Sequence, residues 1–91
     1  MAIAIEHDRS GHRITLVRDG YPCVLDYRLA DGVMTITHTG VPEPVRGRGI
    51  AAELTRSAFE TARVEGWKVL PACSYAAAYA RRHPEFSDLI P

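Results

Sequence analysis

The sequence predicts an α+β fold, an antiparallel β-meander followed by helix, strand and helix, with the helices packed on the sheet. Three observations predict it. Apolar residues alternate with period two through the first part of the chain. The dipeptides Asp19-Gly20 and Asp31-Gly32 interrupt that alternation where hairpin turns would fall. After Arg46-Gly47-Arg48-Gly49 the apolar spacing becomes helical. Strands first and helices afterwards is the order of an α+β domain.

The first strand is expected where Ile3 and Ile5 alternate with alanines, and Ser10-Gly11 ends it with a turn signal. Ile14 and Leu16 then alternate with Arg13, Thr15 and Val17. Beyond Asp19-Gly20, Cys23, Leu25, Tyr27 and Leu29 share one face, with Val24, Asp26 and Arg28 on the other. Beyond Asp31-Gly32, Met34, Ile36 and His38 alternate with Val33, Thr35, Thr37 and Thr39, and the strand stops at Val41-Pro42. Ile50, Ala51, Leu54, Ala58, Phe59 and Ala62 form a helical stripe, with Glu53, Arg56, Glu60 and Arg63 off it. Gly66 is a natural C′ stop. A short strand follows over 67–71 and ends at Pro71. Ser74 is the expected cap of a second helix over 75–82, which His83-Pro84 closes.

A chain of 91 residues is expected to form a single domain over 1–91. Its 46% hydrophobic and 24% charged residues are those of an ordinary globule. Lys+Arg and Asp+Glu each number 11. That balance argues against electrostatic capture of nucleic acid, which draws on a basic surplus. The N-terminal stretch turns acidic too early for a secretory leader, and no apolar run is long enough to span a membrane. A cytoplasmic protein with no membrane or nucleic-acid partner is expected. Cys23 and Cys73 lack the paired spacing of a zinc site, so reduced thiols and no metal are expected.

The stretch "VPEPVRGRGIAAELTRSAFETA" concentrates the chemistry. The first N–H groups of a helix have no partner within it and carry partial positive charge. Glycines just ahead of a helix leave room for a bulky anion, because no Cβ stands in the way. Arginines add charge and directional donors. Strand, Arg-Gly-Arg-Gly and helix together describe a phosphate cradle. The pattern is not a P-loop, since no Gly-Lys-Ser/Thr follows, and it lacks the third glycine of a dinucleotide fingerprint. On these residues alone, a glycine-rich turn with two solvated arginines stands beside the cradle.

The wider pattern resembles a known family. Arg46-x-x-Gly49-x-Ala51, following a strand that ends in Val41-Pro42, is similar to the Arg/Gln-x-x-Gly-x-Gly/Ala signature of the GNAT N-acetyltransferases. "HTGVPEPVRGRGIA", "PACSY" and "RRHPEF", in that order, resemble the small, minimal GNAT-like branch over about residues 14–86. The resemblance implies a GNAT-like fold that binds acetyl-coenzyme A as acyl donor. It implies an amine acceptor, either a small molecule or a protein. His38, Thr39, Gly40 and Val41 would pair with the pantetheine arm. The N–H groups of Arg46, Gly47, Arg48, Gly49, Ile50 and Ala51 would hold the pyrophosphate, and the strand over 67–71 would splay away to open a slot.

It also implies roles for single side chains, each with a plainer alternative. Cys73 would lie near the thioester, where a thiol at a helix N-terminus suits acyl transfer; the alternative is a small buried thiol. Tyr79 would be the general acid for the departing thiolate, with Tyr75 on the same helix face beside the slot; the alternative is a packing pair. His38 would be a base for an ammonium acceptor, or else a half-buried histidine. His83, with Arg81 and Arg82, would meet the 3′-phosphate or only complement a helix end. Two functions follow: an acetyltransferase, acting directly or through Cys73, and a non-catalytic acyl-coenzyme A binding, sensor or protein-interaction module. Monomer and homodimer stay equally open.

Overall fold

The computed structural model of the chain describes residues 5–91; Ile3 lies outside them. The elements are β1 (Ile5–Asp8), β2 (Arg13–Arg18), β3 (Tyr21–Ala30), β4 (Val33–Gly40), α1 (Ile50–Glu65), β5 (Lys68–Pro71) and α2 (Ser74–Arg82). Short 3-10 turns occupy Glu43–Val45 and Pro84–Leu89. The strands form one sheet in the order β1-β2-β3-β4-β5. The first three pairings are antiparallel. Because α1 carries the chain back across the sheet, β5 joins β4 in parallel.

The two hairpins follow from their turn residues. Asp19 and Gly20 have φ of 52° and 80°, and Asp31 and Gly32 have 53° and 74°. Two successive left-handed residues make the turn whose twist matches that of the flanking strands, and Asp-Gly tolerates it. Period-two alternation then puts Ile14, Leu16, Cys23, Leu25, Tyr27, Met34 and Ile36 on one buried face. On that face α1 lays Ile50, Leu54, Ala58, Phe59 and Ala62. The Phe59 ring packs edge-on against Tyr79 and Phe86, at centroid distances of 5.7 and 5.1 Å. The opposite face of the sheet presents Arg13, Val17 and Arg28 to solvent.

Local chemistry sets the helix ends. Gly66 (φ 77°) donates its N–H toward the Ala62 and Arg63 carbonyls, and Trp67 N–H reaches the Ala62 carbonyl at 2.8 Å. Within α1, Thr55 is buried and Ala51 half-buried, a small rotation of the expected stripe. The Thr55 hydroxyl donates to the Ala51 carbonyl at 2.7 Å, which satisfies it inside the core. The cap of α2 is Cys73 rather than Ser74, since Cys73 Sγ accepts the Ala76 N–H.

One irregularity corrects the expected face of His38. Tyr27 pairs with Ile36 and Asp26 with His38, so Thr37 is an extra residue in β4. The Thr37 hydroxyl donates to the Asp26 carbonyl at 3.3 Å across this bulge. An inserted residue reverses the alternation beyond it. Met34 and Ile36 therefore face α1, while His38 is exposed on the opposite side of the sheet with Asp26.

Candidate functional site

The site lies where β4 outlasts β5. Their parallel ladder ends at the pair Ile36–Pro71, whereas β4 runs on to Gly40 against β3. The Ile36 carbonyl accepts both the Ala72 and Cys73 N–H groups at 3.0 Å, and the chain then leaves the sheet to begin α2. Among the described residues, β4 beyond Ile36 has no strand partner on that side.

A groove of about 730 Å³ opens along this edge. His38, Thr39 and Gly40 of β4 line it, followed by Val41, Pro42, Arg46 and Gly47 of the connecting loop. Ile50 and Ala51 close one end, and Tyr75 of α2 stands across it. Pro22 and Val24 of β3 complete the floor. Sequence reasoning missed those two; the only signal was their place on the outer face of β3. At Gly40 an added Cβ would lie 3.0 Å from His38 Nε2, so glycine lets the imidazole lie along the strand.

The loop reaches the helix by a constrained path. Val45 is buried and anchors its first half. Arg46 N–H donates to the Glu43 carbonyl at 3.1 Å and Arg46 Nε to the Val41 carbonyl at 3.0 Å, so its backbone donor is already engaged. Gly47 and Gly49 have φ of 80° and 76°, and an added Cβ at either would meet nothing within 4 Å. The left-handed backbone, not crowding, requires glycine there. The first intrahelical bond runs from Glu53 N–H to the Gly49 carbonyl at 3.1 Å. The N–H groups of Ile50, Ala51 and Ala52 precede it and have no partner within the helix. The Arg48 guanidinium turns out of the groove and pairs with Asp19 in the β2–β3 turn.

The remaining sequence candidates stand outside the groove lining. Cys73 is half-buried beside Ile36, with Sγ 3.3 Å from Ala76 N. Both cysteines are free; Cys23 is fully buried, and burial pushes its thiol above the usual range. Tyr79 belongs to the core, stacked on His83 at 3.9 Å and edge-on to Phe59, and burial pushes its phenol up. His83 faces Glu85, Nδ1 to Oε2 3.3 Å, rather than the loop. The helix pairing that put Tyr75 and Tyr79 together thus separates them by depth: Tyr75 is exposed at the groove and Tyr79 is buried.

Comparisons with known proteins bear on the family and the fold. The family model described as GCN5-related N-acetyl-transferase matches residues 13–89. Protein NATD1 of Gallus gallus is 33% identical over 85 residues, covering 90% of this chain and 77% of its own length. Protein NATD1 of Homo sapiens is also 33% identical over 85 residues, covering 90% of this chain and 75% of its own. The solution NMR structure of a GCN5-like putative N-acetyltransferase from Staphylococcus aureus superposes with a TM-score of 0.77 at 22% identity. That match covers 98% of this chain and 88% of the other, and shows a shared fold. With a family model matched over nearly its whole described length, and relatives one-third identical along it, this chain belongs to the GCN5-related N-acetyltransferase family.

Proposed function

We propose that this protein binds acetyl-coenzyme A along the free edge of β4 and transfers the acetyl group to an amine. The observation that carries the reading is the edge itself: a strand whose β5 side is unpaired beyond Ile36 among the described residues runs into a loop of left-handed glycines at the start of a helix. Unpaired strand backbone suits an amide-bearing arm such as pantetheine. Open space above Gly47 and Gly49, with the N–H groups that begin α1, suits a pyrophosphate. The residues proposed to hold the substrate are His38, Thr39, Gly40 and Val41 for the arm, and Gly47 to Ala51 for the phosphates. Arg46 shapes the loop through its bonds to Glu43 and Val41.

Two routes carry the acetyl group. In the direct route His38, exposed at the groove, takes a proton from the ammonium acceptor, the amine attacks the thioester carbonyl, and the C–S bond breaks as the amide forms, the remaining nitrogen proton passing to the departing coenzyme A thiolate. In the covalent route Cys73 Sγ attacks instead: a new thioester forms, the coenzyme C–S bond breaks, and the thiol proton passes to the departing thiolate. An amine then displaces Sγ, forming the amide and restoring the thiol. A second reading, a binding or sensor module without turnover, draws support from the position of Cys73 and Tyr79 outside the groove lining.

Intact-mass spectrometry with acetyl-coenzyme A, in native and denaturing modes, tests these readings on wild type and Cys73→Ser. A native adduct of cofactor mass is expected. A covalent acetyl gain in wild type, absent from Cys73→Ser, marks the covalent route. An adduct with amine-dependent release of coenzyme A in both proteins marks direct transfer, and an adduct without release marks the binding module. Absence of any adduct overturns the proposal.

A further inference from the structure

We propose that Asp19, in the turn between β2 and β3, is a positioning residue for the coenzyme-binding loop and acts through Arg48. The inference rests on the binding reading above. Arg46, Gly47, Arg48 and Gly49 are all exposed, and two of them are glycines with positive φ. Such a segment has little packing to hold one conformation. Besides its backbone bonds at Arg46 and Gly49, two side chains tie it. Upstream, Arg46 Nε donates to the Val41 carbonyl. Downstream, Arg48 Nη1 donates to Asp19 Oδ2. Gly47 lies between the ties, so losing either leaves its N–H direction less constrained.

A second contact places the hairpin end against the same region. Arg18 Nη2 lies 3.7 Å from Glu53 Oε1 in the first turn of α1. That distance is an ion pair without a hydrogen bond, and among the described residues the buried Nη2 has no hydrogen-bond partner. The hydrogen-bonded tie between hairpin and loop is therefore made one residue on, by Asp19.

Asp31 provides an internal comparison. It occupies the same position of the same kind of turn, φ 53° against 52° at Asp19. Turn chemistry explains an aspartate at both places. Of these two turn carboxylates, only that of Asp19 has an arginine partner among the described residues. Asp→Asn keeps the turn preference at each position and removes the carboxylate charge. Since the pair is exposed, its effect on global stability is small, and its consequence falls on the loop.

The test uses the full chain, coenzyme A, and pantetheine as a probe without phosphates. Backbone 15N relaxation reports the order of Gly47 and Gly49, and calorimetry the affinities. Asp19→Asn is expected to loosen both glycines and to weaken coenzyme A binding about two- to fivefold, leaving pantetheine binding unchanged. Asp31→Asn should do neither, and Asp19→Asn should add nothing in an Arg48→Gln background. If Asp19→Asn matches Asp31→Asn in loop order and affinity, the inference falls. It falls equally if binding tightens, because Asp19 would then be a competitor for Arg48. If wild type binds no coenzyme A, the binding reading fails alone, and the two glycine signals still decide whether Asp19 orders the loop.

Discussion

His7 Nε2 lies 2.7 Å from the Tyr27 hydroxyl, and His12 stacks on the same ring at 5.1 Å. Burial, with the Arg9 charge second, lowers the pKa of His7 below its ordinary value of 6.5, against opposing effects from Asp8 and Glu65. The folded state thus binds the proton less readily than the unfolded chain. The stability contributed by neutral His7 is complete above 6.5 and is lost as pH falls through the depressed folded value. Melting curves from pH 7.5 down to 5 should therefore fall less steeply in His7→Gln than in wild type. The other chemistry-bearing residues show what a sequence encodes at this scale. Tyr75 and Tyr79 are four apart and share a helix face on paper, yet burial depth depends on Phe59 and Phe86, which the spacing does not contain. Cys73 outranks Ser74 as cap because the two hydrogen bonds that Ala72 and Cys73 N–H donate to the Ile36 carbonyl decide which residue is the last extended one.

At the scale of elements, the loop before α1 carries the clearest conformational demand. Gly49 is the N-cap with φ 76° and no side-chain cap bond. Gly49→Ala should cost about 1–2 kcal/mol for the left-handed backbone alone. Gly49→Asn should cost less, because asparagine tolerates that region and can cap. Thermal denaturation would show the order wild type, Asn, Ala, each kcal/mol being worth roughly 4–8 °C for a domain of this size. Most elements were legible because their signals are local: Asp-Gly turns, the α1 stripe and the Gly66 stop. The bulge at Thr37 was not, since threonine fits either side of an alternating strand and the extra residue is visible only against the register of β3. His38 therefore lies on the face opposite the one its spacing predicts, although it does line the groove.

At the scale of the molecule, both helices pack on one face of a five-stranded sheet, and the groove forms where its last parallel pairing ends. Among the described residues no helix is long and apolar enough to cross a membrane. Ligand binding at such a junction ties β4, the loop and α1 together. Coenzyme A at about 100 times its Kd should add about 2.7 kcal/mol of stability. A rise in melting temperature of roughly 10–20 °C is expected, and an unchanged midpoint at that concentration would contradict binding. The order of elements, the signature loop and the end of β5 at Pro71 could be read in advance, but the residue of β4 at which the pairing stops could not. It depends on the Ile36 carbonyl taking two amides at once. That shared acceptor has a consequence for self-association. Backbone left unpaired at the rim of a sheet invites any passing strand to lie alongside it. Here the open stretch runs only from Thr37 to Gly40, closed at one end by β5 and faced by Tyr75 of α2. So short a run gives a second pleated chain few bonds to make, whereas a thin, single-file arm lying lengthwise needs no more. The fold limits visitors by length, and so leaves a few backbone groups open while offering little template for aggregation.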